Sequence, residues 1–185
     1  MGAIRTVFFA IMISIAAGGW AAAEEKTFTE HEIIAAATGF FGDTTEGLAT
    51  AVRKAFSDLG EPNGFITGEE IAGAFFVGLR YGSGELNRKG EAVTKTYWQG
   101  PSIGFDWGGN ASKVFVLVYH LDSADALFQR YPGVDGSLYV VAGLGLNYQQ
   151  NGKTVLAPIR TGVGLRAGAN IGYLHYTKEF SLLPM

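Results

Sequence analysis

The chain contains no cysteine and only 5 prolines, and no run of like charge in it is longer than two. Without cysteine there is no disulfide framework, no thiolate metal site and no lipid-modified N-terminal cysteine. The fold must be held by packing alone. With 27 glycines and 48% apolar residues, the composition also excludes a disordered polar chain and points to a packed, strand-rich domain. The net charge of −3 is unsuited to nucleic acid. Contact with an anionic membrane surface would be peripheral at most and would need a local patch.

Long apolar runs are scarce too, and the clearest stands at the start. Arg5 leads into Val7 to Ala17, and Ala21-Ala22-Ala23 supplies small residues for a cleavage site, so Met1 to Ala23 reads as a secretory signal peptide cut after Ala23. The run is short for a bilayer span, and Glu24-Glu25-Lys26 is the flank of a released chain. The expected location is a bacterial periplasm. Residues 24–185 then suit one domain, large enough for a core of its own and expected to act as a monomer.

The pattern changes near residue 63. Thr29 and Glu32 can form a capping box ahead of Ile33, Ile34 and Ala37, with Gly39 as a stop. A second helix beginning near Asp43 or Thr44 carries Leu48, Val52, Phe56 and Leu59 on one stripe and ends at Gly60, with Pro62 beyond. Residues 24–62 are therefore a helical segment packed on the remainder. From Gly64 on, where 20 of the 27 glycines lie, the period is two. Ile71, Phe75, Val77, Leu79 and Tyr81 alternate with small residues and Arg80, and Ile103, Phe105 and Trp107 repeat the pattern. Val114 to Tyr119 is apolar on both faces, as in a strand covered on each side. Leu138 to Tyr148 forms one long alternation, and Asn151-Gly152 reverses the chain into Val155 to Leu165. Asp122 and Ser123 cap an expected inserted helix bearing Ala124, Leu127, Phe128 and Tyr131, stopped by Pro132-Gly133.

The fold class is thus mainly β with helical additions (α+β). Residues 63–185 are expected to form a small antiparallel barrel of about eight strands, with N-terminal helices and one inserted helix. So many glycines on one strand face call for tight bending or the close approach of another object. That object could be a helix, aromatic side chains of the same chain, or a ligand.

Catalytic readings fare poorly. Gly100-Pro101-Ser102-Ile103-Gly104 matches the G-x-S-x-G pattern, but a nucleophile elbow needs strand, turn and helix, whereas Ser102 heads a period-two run. His120, Asp122 and Asp125 lie at a capped junction without a further ligand, and the stretch from Asp106 to Asn110 lacks the closing glutamate of a calcium loop. No enzyme activity, metal or cofactor is expected. Glu69 and Glu70 read as solvated charges. Arg80, Arg160 and Arg166 fall on the small strand face. If that face is internal they need a carboxylate, for which Asp106 is available, or they clamp a phosphate or carboxylate headgroup.

Several stretches resemble a known family. Trp98 to Asp106, Leu117-Val118-Tyr119, Val134-Asp135-Gly136-Ser137 and the run Ile159 to Tyr173 are similar to the alphaproteobacterial envelope integrity protein A family, over nearly the whole mature chain. The resemblance implies a small periplasmic β-barrel that keeps the envelope intact, with no assigned enzyme activity. Gly82-Ser83-Gly84-Glu85-Leu86, Trp98 with Pro101, Gly104 to Gly108 and Val134 to Ser137 are more faintly similar to the lipid-binding SYLF (Ysc84-like) domain, which implies phospholipid recognition. Together they suggest a non-enzymatic periplasmic protein that supports the envelope by binding a lipid or lipid-linked component. Trp98 and Trp107 would stand near a barrel mouth, with Phe105 as a further candidate ligand contact and Arg80, Arg160 and Arg166 on the headgroup. The alternative is a structural or protein-interaction module with a filled barrel and no small-molecule ligand.

Overall fold

A computed structural model of the chain describes residues 26–42, 46–106, 111–161 and 172–181, with side chains throughout these except at 72–78 and 102–106. The expected signal peptide and cleavage site, the expected start of the second helix at Asp43 or Thr44, and Trp107, Val163, Leu165 and Arg166 lie outside the described residues.

Helix α1 (Glu30–Phe41) opens on the expected capping box, in which the Glu32 amide donates to Thr29 Oγ1 and the Thr29 amide donates to the Glu32 carboxylate at 2.8 Å. It runs through Gly39 and stops at Gly42, whose φ of +91° is the left-handed cap a glycine supplies most easily. Helix α2 (Glu46–Leu59) buries Leu48 and Val52, packs Phe56 and Leu59 beside them, and ends as expected at Gly60, whose φ is +80°. Both helices lie on one side of the sheet.

Among the described residues nine strands follow, all paired antiparallel: β1 (Gly64–Arg88), β2 (Thr94–Asp106), β3 (Ser112–Tyr119), β4 (Arg130–Pro132), β5 (Tyr139–Val141), β6 (Leu144–Leu146), β7 (Gln149–Asn151), β8 (Thr154–Arg160) and β9 (Tyr173–Thr177). Their order is β4-β9-β2-β1-β3-β8-β6-β5, with β7 also on β8. The sheet curls until Gly133, just after β4, bridges Gln149 of β7, and Val134 N–H donates to Tyr148 C=O at 2.9 Å. The far edges thus meet at that point, giving a barrel-like sheet.

β1 makes the curl. Its first part, Gly64–Glu70, pairs with β3, and its later part, Ala74–Leu86, pairs with β2. The two halves come back together face to face at Gly68 and Gly84, so closely that a Cβ on Gly68 would lie 2.9 Å from the Gly84 Cα. Only glycine permits that approach. The small face of β1 is therefore the inner one. Its apolar face turns outward, where Ile71 is 53% and Leu79 40% exposed.

Two cores result. The outer one joins α1 and α2 to Phe115, Leu117 and Tyr119 of β3 and to Ala157 and Ile159 of β8. The inner one fills the curl with Ile66, Leu86, Trp98, Leu127, Tyr131, Leu174 and Tyr176, together with Val114, Val116 and Val118 from the opposite face of β3. The doubly apolar run Val114–Tyr119 is the covered central strand its sequence announced.

Two expectations fail locally. The inserted helix shrinks to one 3₁₀ turn, Ala124–Leu127. Ser123 caps it, but the Gln129 amide and the Tyr131 hydroxyl both donate to the Ala126 carbonyl, and Arg130–Pro132 pairs with β9, placing Tyr131 in the inner core. Cross-strand pairing and burial outweigh a modest helical tendency. The alternation from Leu138 to Tyr148 is likewise no single strand. It folds at Ala142-Gly143, whose φ values of +48° and +79° make the two-residue primed turn that joins β5 to β6. The Asn151-Gly152 reversal is present, with Gly152 at φ +56°.

Candidate functional site

A cluster of charge sits inside the curl, built from positions that share the inward face. Glu70 is the last residue of β1 paired with β3, and Arg80 lies on the same face after the bend, opposite Gly100. Trp98 of β2 stands opposite Gly82, and Arg160 ends β8 opposite Val114. Gly82 has to be glycine because a Cβ there would fall within the indole, and a Cβ at Gly68 would lie 2.6 Å from its Cη2. The close object that the glycine-rich face requires is, at these two positions, Trp98.

The indole, held flat, reaches Glu70. Its Nε1–H donates to Glu70 Oε2 at 2.9 Å. The other oxygen, Oε1, receives the Arg160 Nε–H at 3.2 Å and forms an ion pair with Arg80 Nε at 3.2 Å. Arg160 Nη1 then donates to Asn147 Oδ1 at 2.7 Å. Burial by itself would push the Glu70 carboxyl up, yet Arg160, Arg80 and the Trp98 donor outweigh it and hold the group below the usual carboxylate range. Burial pushes the neighbouring Tyr176 phenol well above its ordinary range.

Three of the six candidate residues, Arg80, Arg160 and Trp98, thus meet on one carboxylate. Their setting differs from the expected one. Trp98 is 2% exposed and belongs to the inner core, not to a mouth. The described partner of both arginines is Glu70; the side chain of Asp106, the partner expected from the sequence, lies outside the described residues. Glu69 is exposed as expected, but Glu70 is buried, because the inner face of β1 runs Gly64, Ile66, Gly68, Glu70. That period-two placement, shared with Arg80 across the bend, is the signal that could have found it. Asn147 had no such signal. For Phe105, only the backbone is described, paired with Phe75.

Other polar groupings are structural. Tyr148 donates to Asp58, which also pairs with Lys54, tying α2 to the β6–β7 link. Asp122 and Asp125 pair with Lys153 and Lys178. Among the described residues, no three acidic or histidine side chains are grouped to hold a metal. Ser102 lies in the interior of β2, whose next described element is β3 rather than a helix, so the context of a nucleophile elbow is missing.

With the curled sheet, two flanking helices and the buried cluster in place, comparison with known proteins is decisive. The profile of the family described as envelope integrity protein A matches residues 26–185. The chain belongs to the envelope integrity protein A family. Its role is accordingly one in the integrity of the cell envelope. A crystal structure of a beta-barrel-like, uncharacterized protein from Brucella abortus is similar at 49% identity and a TM-score of 0.79, covering 86% of this chain and 99% of that one. That likeness agrees with the barrel-like curl of this family member. No curated protein matches the chain.

Proposed function

We propose that this envelope integrity protein acts in the periplasm as a non-enzymatic module, whose barrel is filled by its own side chains and whose outer surface meets other envelope components. The observation that carries this reading is the interior. Trp98, Tyr131, Tyr176, Leu86, Leu121 and Leu127 are each at most 2% exposed there, and the indole rests against glycines with no gap for a Cβ. An acyl chain in the same space would have to displace them. The second reading, recognition of a lipid or lipid-linked component, is favoured by one feature, the pair of guanidiniums on a single carboxylate, since guanidinium forks suit anionic headgroups.

Native mass spectrometry of the protein recovered from cells without detergent, followed by lipid extraction, separates the two. The filled-barrel reading expects a monomer of the bare chain's mass, beginning at Glu24, that takes up no offered phospholipid. A stoichiometric lipid, lost on Arg160→Gln, would replace it with the lipid-binding reading.

A further inference from the structure

Around the Glu70 cluster, three buried polar atoms have no partner among the described residues. Arg160 spends Nε on Glu70 and Nη1 on Asn147, which leaves its Nη2 over. Asn147 gives its Oδ1 to that arginine, so its Nδ2, with two N–H groups, is the second such atom. The third is the hydroxyl of Tyr176, which lies close enough to Arg160 and Glu70 to feel both charges. Asn147 is 3% and Tyr176 1% exposed. Buried polar groups are costly and uncommon unless something meets them. The three also belong to walls of the curl that no ladder joins. Arg160 ends β8 and Asn147 follows β6, whereas Tyr176 is on β9, and β2, β1 and β3 stand between β9 and β8 in the strand order.

The demand is for lone pairs, not for a charge of either sign. Arg160 Nη2 and Asn147 Nδ2 can only donate, while a phenol both donates and accepts. Water, with two lone pairs and two O–H groups, can accept from the guanidinium and the amide and donate to the phenol oxygen, and about three hydrogen bonds is what an internal water ordinarily makes. An uncharged molecule also enters without the desolvation cost that a further buried ion would carry. We propose that the place bounded by Arg160, Asn147 and Tyr176 is a binding site for one internal water molecule, which bridges opposite walls of the curl. The water extends the chain of bonds from Trp98 through Glu70, Arg160 and Asn147 to β9, bracing strands that are not neighbours in the sheet. This goes beyond the filled-barrel reading, because it asks for one enclosed solvent molecule among the packed side chains and for no molecule of the envelope.

The test is a high-resolution crystal structure of the protein recovered from cells, together with the melting temperature of Tyr176→Phe. The expected result is a water within hydrogen-bond distance of Arg160 Nη2, Asn147 Nδ2 and Tyr176 Oη. Tyr176→Phe is expected to melt lower than the parent by about 2–4 °C, because the bridge loses one arm. The sign of that change is informative: removing a phenol oxygen that nothing bonds would relieve a buried cost and raise the melting temperature. The variant leaves the bonds among Glu70, Arg160 and Asn147 in place, so it reads the water's arm alone. No water at that place, an ion or a side chain of the protein in its stead, or a Tyr176→Phe protein that melts no lower than the parent, overturns the proposal. A co-purified lipid would overturn the filled-barrel reading alone.

Discussion

Glu70 shows how much one residue can carry: two arginines and an indole meet on its two oxygens in the interior. Glu70→Gln keeps the shape and part of the hydrogen bonding but removes the carboxylate charge that buried Arg160 and half-buried Arg80 share, a loss of roughly 3–5 kcal/mol in unfolding free energy. Urea denaturation at neutral pH measures it. The pH dependence has a definite sign. The carboxyl is held below 4.5 in the folded protein, so it contributes stability at neutral pH that is lost as pH falls through that range. The acid limb of the stability profile should be flatter in Glu70→Gln. A second residue-scale expectation concerns Gly82, where a methyl group would enter the Trp98 ring system. Gly82→Ala should cost at least about 1–3 kcal/mol by overpacking, read from the urea midpoint.

Among the elements, the helices were the most legible, since capping boxes, stripes and glycine stops are local signals. The misplaced end of α1 has a simple cause: Gly39 is tolerated inside the helix, where a Cβ would touch nothing, and the left-handed turn falls at Gly42. Gly39→Ala should therefore stabilise the protein by about 0.5–1 kcal/mol, visible as a higher melting temperature, through reduced freedom of the unfolded chain. The segment 124–131 and the alternation 138–148 were not legible in the same way. Residue types there fitted a helix and one long strand, but Tyr131 was claimed by the inner core and Ala142-Gly143 by a turn. Ala142 carries no sequence signal for the positive φ it adopts. Pro158, unexpected inside a buried strand, lies in the interval where the neighbour of β8 changes from β7 to β6, a position that costs the ladder little.

At the scale of the whole molecule, β3 and β8 hold the two cores together, since β3 sends alternate side chains into each. Their amides should exchange only on global unfolding, while those of β5, at the end of the strand order with Val140 46% exposed, should exchange by local opening. Native-state hydrogen exchange tests the contrast. The sequence by itself determined the class of the fold, the order of helices before strands, the doubly covered central strand and the glycine-rich face, because each is written in local periodicity and turn chemistry. Only the tertiary structure decided that the glycine face turns inward over Trp98, that Arg80 and Arg160 meet Glu70 rather than a solvated surface, and that Tyr131 and Tyr176 are buried inside the curl. Those outcomes depend on which distant strand segments come within a few ångströms of each other, and no local pattern encodes a distance of that kind.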